Sequence, residues 1–263
     1  MSTIEKALRL MEHFSVNRPE IGLTEFRTLT GLDKGTLHRH LTSLKNCGFL
    51  EQNQTTRAYR LGPAVIRLSA VREKTVPLIK SVEHYINKIT DQVHELTHAA
   101  LPESKGMSAI YAKDAGLHGT RVSFDEAEIL PFHATSSGIA MLAFSSEKLV
   151  KQVLAQQHER YTDKTSTDTD EIVALIEIAK LHGIASANQT YEAEVVSFAV
   201  PFFAHPGGAM GTLAIAAPAS RMNSTLKKKC IDQLIVASTE LSNNLGGQIP
   251  SHIADTWAKR LET

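Results

Sequence analysis

Features typical of secreted, membrane-spanning and thiolate-metal proteins are scarce in this sequence. Its two cysteines, Cys47 and Cys230, are far apart and lack a metal-ligand spacing, so neither a disulfide framework nor a thiolate zinc site is expected. No apolar run approaches the roughly 18 residues that cross a membrane. Residues 1–14 alternate charged and apolar side chains, unlike a secretory signal. We therefore expect a cytoplasmic protein with no membrane partner.

Net charge is absent as well, but the charges are unevenly distributed. The 28 Lys and Arg side chains balance 28 Asp and Glu side chains over the whole chain. Residues 1–80 hold 13 basic side chains against 7 acidic ones, and the remainder of the chain carries the matching acidic excess. The N-terminal end is therefore the candidate to bind a polyanion such as nucleic acid.

The length of the chain and its apolar periodicity predict a separate helical domain at the N-terminus. At 263 residues the chain is long for one compact core and sufficient for two. A second helix is predicted from Thr24 to Gly31, with Phe26 and Leu29 facing inward. It is preceded by a first amphipathic helix whose apolar residues recur at helical spacing: Ile4, Ala7, Leu8, Met11 and Phe14.

A third helix and a hairpin are predicted directly after the second helix. The third helix begins near Asp33 and ends near Asn46, with Leu37, Leu41 and Leu44 toward the core. Residues 48–52 and 58–61 are strand-like and flank a polar turn, which predicts a hairpin wing. The side of the third helix opposite its leucines carries small polar groups and one arginine: Gly35, Thr36, Arg39, Thr42, Ser43 and Asn46.

This order of elements is typical of a winged helix-turn-helix, whose second helix lies in the major groove of DNA. Lys34 and Thr36 at the helix start suit phosphate contacts. Arg39 is the candidate for a base-edge contact, because a guanidinium group can pair bidentately with guanine. Arg57 near the hairpin tip would meet phosphate or the minor groove. The alternative is a small helical subdomain whose polar face is only solvated.

Three segments carry a resemblance to a known family: Thr-Gly-Leu-Asp-Lys-Gly-Thr-Leu-His-Arg-His-Leu at 30–41, Gly-Phe-Leu-Glu-Gln at 48–52 and Tyr-Arg-Leu-Gly-Pro at 59–63. In this order and spacing they resemble the winged helix-turn-helix domain of IclR-family transcriptional regulators. Asp33 stands where the family usually has proline, and Gly35 where it usually has serine, so Gly35 could contact DNA only through its backbone. The candidate DNA-binding set is Lys34, Gly35, Thr36, Arg39, Thr42, Ser43 and Arg57.

Helices around antiparallel strands are predicted for the rest of the chain. Residues 64–92 indicate helices interrupted at Pro77. Strands are predicted over 96–101, 107–113, 195–203 and 210–217, the last two joined by a His-Pro-Gly-Gly hairpin turn at 205–208. Helices are predicted over 135–144, 146–158, 168–182 and 224–244, with a further amphipathic helix in the tail at 249–263. The predicted fold class is α+β, with room for a pocket.

The resemblance continues to about residue 246 and implies a GAF-like effector-binding domain with an antiparallel sheet. Residues 130–140 are similar to the family's loop-to-helix segment at the effector pocket, and residues 213–221 resemble its last core strand and exit. In the family this domain binds small organic acids or aromatic compounds, and dimers or tetramers bind palindromic operators. The pocket positions implied here are Ser136, Ser137, Ala187, Ser197, Ala214 and Ala216.

These pocket positions are less polar than those of acid-sensing relatives. Of the four positions 187, 197, 214 and 216, only Ser197 keeps a hydroxyl, and Glu194 stands where the family usually has glycine. A buried charge without partners is costly. We therefore expect an effector with an aromatic or other apolar body and one polar head near Ser136, Ser137 and Ser197. The alternative is a domain that binds no effector.

Histidine and serine patterns give no indication of catalysis. His94 and His98 have a spacing that could bind zinc on a helix, but His98 falls in a strand-like segment and the chain has no HExxH motif. The Ser136-Ser137-Gly138 sequence is not a nucleophile elbow. We therefore expect no metal, no cofactor and no enzyme activity.

Taken together, these patterns predict a DNA-binding transcriptional regulator with four parts. They are a winged helix-turn-helix domain at 1–68, a helical linker at 69–92, a GAF-like effector-binding domain at 93–247 and a helical tail at 248–263. The protein would bind a palindromic operator in double-stranded DNA as a homodimer or homotetramer, under the control of a small-molecule effector. The alternative is a small-molecule-binding or catalytic protein that uses the helix-turn-helix only for dimerization.

Overall fold

Two compact units make up the chain, Met1–Leu78 and Ile79–Thr263. The structure is a computed structural model and describes residues 2–15, 18–75, 78–125, 127–204 and 208–262, with only the backbone described at 72, 73 and 75. No helix within these ranges is both long enough and apolar enough to cross a membrane. The boundary at residue 78 divides the expected linker at 69–92 between the two units.

Helices and one hairpin form the first unit. The hairpin strands pair antiparallel, with Leu50 opposite Leu61, and Ile21 extends the pairing through two backbone hydrogen bonds with Tyr59 of 2.9 Å each. Leucine side chains of the third helix pack with Phe26 and Tyr59 in the core. The elements are α1 (Thr3–Arg9), a 3₁₀ helix (Leu10–His13), α2 (Leu23–Thr30), α3 (Lys34–Asn46), β1 (Leu50–Gln52), β2 (Tyr59–Leu61) and α4 (Pro63–Thr75).

The apolar face predicted for the first helix is confirmed at Met11 and Phe14, which pack against the core, and wrong at Ile4 and Leu8. Helix α1 ends at Arg9 and continues as the 3₁₀ helix. Leu10, which was not part of the predicted face, is buried, whereas Ile4 and Leu8 are exposed.

Helix α2 ends as predicted at Gly31, which has a left-handed φ of 67°. Phe26 is fully buried, but Leu29 is exposed, so the prediction that both face inward is wrong for Leu29. The core covers α2 mainly on the Phe26 side, and Leu23 and Leu32 pack against it at the two ends of the helix.

A six-stranded antiparallel sheet with helices against it forms the second unit, so the predicted α+β fold is confirmed. The strand order is β5-β4-β3-β8-β7-β6. Helix α6 lies against β7, β8 and α8, and α9 also lies along β7. The elements are α5 (Leu78–Val93), β3 (Leu96–Pro102), β4 (Met107–Lys113), β5 (Ile129–Leu130), α6 (Ser136–Ala143), α7 (Glu147–Leu154), α8 (Thr169–His182), β6 (Ala185–Asn188), β7 (Val195–Phe203), β8 (Ala209–Pro218), α9 (Ser224–Asn244) and α10 (Ser251–Leu261).

Two elements of the second unit differ from the prediction. Helix α7 ends at Leu154, whereas the prediction extends to residue 158. His158 lies beyond the helix, and its ring contacts that of His133 at a centroid distance of 4.7 Å. The short strands β5 and β6 at the two sheet edges were not predicted. The predicted interruption at Pro77 and most of the predicted turn at 205–208 fall on residues 77 and 205–207, which lie outside the described residues.

The C-terminal helix α10 packs on α8 of the same unit. Trp257 is buried, and its Nε1 donates to the backbone carbonyl of His182 at 3.0 Å. Gly183 ends α8 with a left-handed φ of 70°, and a Cβ there would lie 2.6 Å from Ile253 Cγ2 and from Trp257 Nε1. The close packing of α10 therefore requires glycine at this position. Leu261, the third apolar residue of the tail pattern, is exposed.

Candidate functional site

The start of α3 is fixed by Asp33, which the sequence placed at the helix N-terminus. Its Oδ1 accepts a hydrogen bond from the backbone N–H of Thr36 at 2.9 Å. This bond is the main reason that the pKa of the Asp33 carboxyl is lowered. A Cβ at position 35 would lie 3.3 Å from the same oxygen. Gly35 thus leaves room for the Asp33 side chain to cap the helix. The two departures from the family pattern, at positions 33 and 35, are therefore linked.

The polar side of α3 is open to solvent in this unit. Lys34, Gly35, Arg39 and Ser43 are exposed, and Thr36 and Thr42 are partly exposed. Arg39 Nη2 donates weakly to Thr36 Oγ1 at 3.5 Å, and Ser43 Oγ donates to the Arg39 carbonyl at 2.9 Å. The opposite side buries the three predicted leucines and also His40, which was not predicted.

The two arginines of the wing have different surroundings. Arg60 pairs with Glu51 across the hairpin and lies 3.8 Å from a carboxylate oxygen of Glu20. Arg57 is exposed, and the part of the chain that the structure describes offers it no ion pair. Its φ of 58° is left-handed, and its N–H donates to the Asn53 carbonyl at 2.9 Å. Of the two, Arg57 is the cation available to a partner.

The wing and α3 meet in a surface cleft that the sequence analysis did not predict. His38 of α3 lines this cleft together with Arg57, Gln52 and Thr56 of the wing, beside the start of α2. His38 lies beside Leu37 on the helix and not opposite it, so the periodicity of α3 gave no reason to select it. Only the folded hairpin places it next to Arg57.

A cavity of about 460 Å³, its open mouth included, lies at the start of α6. Apolar side chains form much of its wall: Leu96, Val122, Phe124, Leu130 and Val195. Five of the six positions implied by the family resemblance also line it: Ser136, Ser137, Ala187, Ser197 and Ala216.

The sixth position, Ala214, does not line the cavity. It lies two residues from Ala216 on β8 and therefore on the same face of the strand. Ala214 is completely buried in a hydrophobic cluster that includes Ile139 and Ala140 of α6. Because α6 covers the strand at this point, its selection for the pocket is corrected to a core position.

Hydroxyl groups converge at the end of the cavity formed by the first turn of α6. Thr135 caps the helix: its Oγ1 accepts from the Gly138 N–H at 3.1 Å and donates to the Pro131 carbonyl at 2.8 Å. Ser136 Oγ donates to Ser197 Oγ at 2.8 Å. The amide groups of Ser136 and Ser137 precede the capped N–H and have no acceptor within the helix. This end of the cavity offers hydrogen-bond donors to a ligand.

His98 of β3 adds an imidazole to this polar end. Its Nε2 lies 3.2 Å from Ser137 Oγ, and its ring stacks on Phe124 with a centroid distance of 4.8 Å and an interplanar angle of 28°. Burial lowers the pKa of His98 to about 4, so the ring is neutral at pH 7. His98 lies in a strand, as predicted, and the described residues contain no group of three or more His, Cys, Asp or Glu that could hold a metal.

An acidic rim borders the cavity. Glu192 lines it, and the pKa of its carboxyl is raised, first by burial and then by the negative charge of Glu128. Tyr191 also lines the cavity and donates its hydroxyl to Glu128; burial and this hydrogen bond raise the pKa of the phenol. None of the described residues that line the cavity is a lysine or an arginine.

Family profiles of known proteins match both units of the chain. The family profile described as bacterial transcriptional regulator IclR C-terminal matches residues 72–243, and the IclR helix-turn-helix domain matches residues 3–54. The chain belongs to the IclR family of bacterial transcriptional regulators. The resemblance inferred from the three N-terminal segments is thereby confirmed, and the IclR relatives are named as transcriptional regulators and not as enzymes.

Relatives and solved structures are similar to this chain over nearly its whole length. A protein of Silicibacter sp. TM1040 assigned to the IclR transcriptional regulators is 36% identical, covers 95% of this chain and 99% of its own, and has a TM-score of 0.88. The HTH-type transcriptional regulator KdgR of Dickeya chrysanthemi is 24% identical over 94% of this chain and 80% of its own length. An IclR homologue of Microbacterium hydrocarbonoxydans, complexed with 4-hydroxybenzoate, shares the fold at 22% identity and a TM-score of 0.73, covering 93% of this chain and 99% of its own.

In this IclR-family regulator, several cavity residues were missed from the sequence. His98 was considered only as a metal ligand, and Phe124 and Tyr191 were not selected at all. His98 and Ser137 are 39 residues apart, and Ser136 and Ser197 are 61 residues apart. The strand assignment of residues 96–101 was available from the sequence, but the register that places His98 beside α6 was not.

Proposed function

We propose that this IclR-family regulator binds a palindromic operator in double-stranded DNA as a homo-oligomer, and that a small organic effector changes this binding. The main support for DNA binding is the exposed polar face of α3, which reaches the cleft shared with Arg57. The support for an effector is the cavity in the second unit. Because the target is DNA, we expect the protein to act in the cytoplasm.

The side chains of α3 and the wing would divide the work of DNA recognition. Lys34 and Thr36, at the start of the helix, would contact phosphates and fix the register of the helix. Arg39 would pair with a guanine edge in the major groove, with Thr42 and Ser43 beside it and the backbone of Gly35 close to the DNA. Arg57 would contact phosphate or enter the minor groove. Arg57 has no acidic partner among the residues that the structure describes, whereas Arg60 is already paired, and this difference supports the assignment.

Exposed apolar side chains in the first unit support a homodimer or homotetramer. Ile4 of α1 is 74% exposed and Ile66 of α4 is 75% exposed. Leu8, Leu68 and Val71 on the same two helices are also exposed. These side chains are available to an interface between copies, and closed symmetric assemblies match a palindromic operator. The apolar side of α1 that the single chain leaves exposed would then be covered by a second copy.

The composition of the cavity supports an effector with an aromatic or otherwise apolar body and one polar head. Ala187 and Ala216 line the cavity at positions where the resemblance to acid-sensing relatives implies polar side chains, while Ser136, Ser137 and Ser197 bring hydroxyl groups to one end. A small, strongly hydrated acid would lose its water shell against the apolar wall without meeting a cation. The homologue complexed with 4-hydroxybenzoate is an example of an aromatic ligand in this fold.

Effector binding would act by a shift between two arrangements of the protein. A ligand changes DNA affinity only if its own affinity differs between the operator-competent and operator-incompetent arrangements. The effector is therefore expected to change the operator dissociation constant, and the operator is expected to change the effector dissociation constant by the same factor.

A titration on an inverted-repeat operator tests the DNA part of the proposal. We expect sequence-specific binding that weakens steeply as salt increases. Arg39→Ala should remove about 1–3 kcal/mol of discrimination between the operator and a variant with the contacted guanine replaced. Lys151→Ala, an exposed change on α7, is the control and should leave this discrimination intact. Undetectable or salt-independent association would instead favour a protein that uses the helix-turn-helix only for dimerization.

Thermal-shift measurements on the whole protein test the effector part. Aromatic acids and their uncharged analogues should raise the melting temperature of the second unit and change the operator dissociation constant. Short keto acids should do neither. Stabilisation by short keto acids alone would refute the apolar body, and stabilisation without any change in operator affinity would refute the regulatory role of the cavity.

A further inference from the structure

The imidazole of His98 has one nitrogen without a partner. The residue is 5% exposed and lines the cavity. Its Nε2 lies 3.2 Å from Ser137 Oγ, whereas Nδ1 has no hydrogen-bond partner within the described residues. Buried polar atoms are nearly always hydrogen-bonded, and an unmade bond costs more than a made bond contributes. An orphaned ring nitrogen on a side chain that lines the cavity points to a ligand.

The hydrogen bonds available to Ser137 indicate which nitrogen of His98 carries the proton. If Nε2–H donated to Ser137 Oγ, the Ser137 hydroxyl proton would need another acceptor, and none is found for it in the described part of the chain. If the Ser137 hydroxyl donates to Nε2, its proton is satisfied and the imidazole proton lies on Nδ1. The second arrangement leaves only Nδ1–H without a partner, whereas the first leaves both Nδ1 and the Ser137 hydroxyl proton unmatched, so we take Nδ1 as the donor.

We propose that His98 donates its Nδ1–H to an acceptor oxygen of the cavity ligand, and that Ser137 holds the ring in this tautomer. This inference rests on the proposed function, which places an effector in the cavity. It assigns the head group of that effector as a carboxylate or carbonyl oxygen on a ring compound. His98 then binds the ligand directly. The Ser137 hydroxyl positions the His98 ring, and the Ser137 amide group is a further donor to the ligand.

The surroundings of the ring favour this donor role. Stacking on Phe124 fixes the plane of the imidazole, and the low pKa that burial imposes keeps it uncharged at pH 7. The free amide groups of Ser136 and Ser137 add donors at the same end of the cavity. The imidazole and the two amide groups donate at this end of the cavity, whereas the carboxyl of Glu192 is an acceptor elsewhere on the wall. A head group that only donates, such as an ammonium, would leave the imidazole and the amides unmatched.

Nitrogen NMR of the protein with ¹⁵N-labelled histidine tests the tautomer without any ligand. We expect the His98 Nδ1 signal to show a directly bonded proton and the Nε2 signal to be that of an acceptor, unchanged between pH 5.5 and 8. His98→Phe assigns these signals by their loss. In Ser137→Ala the tautomer preference should weaken. A proton found on Nε2 in the wild-type spectrum would overturn the assignment.

Binding measurements with three matched ring compounds test the ligand class. Benzoate and benzamide both present an acceptor oxygen, one charged and one neutral, whereas benzylamine only donates. We expect at least one acceptor compound to bind and to move the His98 Nδ1 signal, and benzylamine to do neither. His98→Phe should weaken acceptor binding about tenfold. His98→Gln provides a second variant in case the phenylalanine perturbs folding, and the exposed His84→Phe on α5 should bind like the wild type.

The possible results separate this inference from the proposed function. Equal binding by wild type and His98→Phe, tighter binding of benzylamine, or no binding by either acceptor compound would overturn the role of His98. Binding that depends on His98 but leaves operator affinity unchanged would support the role of His98 and contradict the regulatory function. The relative affinities of benzoate and benzamide identify whether the acceptor oxygen is charged or neutral.

Discussion

Arg221 donates to both carboxylate oxygens of Glu95, the residue that precedes β3. The Glu95 side chain is only 4% exposed, and Arg221 also donates to the carbonyl of Thr120 at 3.3 Å. The segment around Thr120 continues to Val122 and Phe124, which line the cavity. One ion pair therefore connects the start of a core strand with the loop that forms part of the cavity wall.

Replacement of Arg221 by methionine should destabilise the second unit by about 3–5 kcal/mol, because the buried Glu95 carboxylate would lose its partner. The loop at residues 120–124 should become accessible to protease at the same time. Denaturant unfolding with limited proteolysis measures both effects. The control is Lys88→Met, which removes a surface pair with Glu240 and should cost less than about 1 kcal/mol. Equal losses in the two variants would contradict the role assigned to the buried pair.

The stability of the second unit should fall as the pH is lowered from 6.5 toward 4, and His98 should be one cause. The unfolded chain takes up a proton at His98 near pH 6.5, whereas burial lowers the pKa in the folded chain to about 4. Between these values the unfolded state binds more protons, so stability is full above pH 6.5 and is lost on acidification.

Comparison with His98→Phe isolates this contribution from the other histidines. Between pH 7.5 and pH 5, wild type should lose on the order of 2 kcal/mol more unfolding free energy than the variant. Urea unfolding at a series of pH values gives the two curves. If they run parallel over this range, His98 is not buried as a neutral imidazole.

The two wing arginines should contribute very differently to DNA binding. Arg57→Ala should weaken binding to all sequences and reduce the slope of log affinity against log salt by about one, since one phosphate contact is removed. Arg60→Ala should change the slope little, because Glu51 and Glu20 already neutralise this guanidinium. Fluorescence anisotropy at several salt concentrations measures both slopes. Equal changes would show that the acidic partners release Arg60 on DNA binding.

Glycine at position 138 should be essential to the closed packing at the start of α6. A Cβ there would lie 2.2 Å from the Phe132 carbonyl oxygen, so Gly138→Ala forces the helix and the preceding loop apart. We expect a loss of about 2–3 kcal/mol or more in unfolding free energy and weaker ligand binding. Gly119→Ala is the matched control, because nothing lies within 4 Å of its Cβ, and it should stay within about 0.5 kcal/mol of wild type.

Local sequence patterns were sufficient for much of the fold. The leucine stripe of α3, the caps at Asp33 and Gly31, the end of α8 at Gly183 and the strands β3, β4, β7 and β8 all follow from residues that are neighbours in the chain. Caps, turns and amphipathic faces depend on contacts within a few residues. For this reason the family could be predicted from segments of the first 63 residues alone.

The candidate site was only partly predictable, because exposure depends on what covers each face. Ala214 and Ala216 look alike in the sequence, but α6 covers only the first, so only the second lines the cavity. Ile4 and Leu8 fit the apolar pattern of α1, yet both are exposed, and Leu10, which lies outside that pattern, is buried.

The sequence by itself determined the kinds of elements, their order and the family to which the chain belongs, since these depend on short-range periodicity and on motif spacing. The tertiary structure alone decided that, among the described residues, Arg60 has ion-pair partners and Arg57 has none, and that His98 faces Ser137 in the cavity. Both facts depend on pairs of side chains brought together by strand register and helix packing. Residue spacing along the chain carries no information about such pairs.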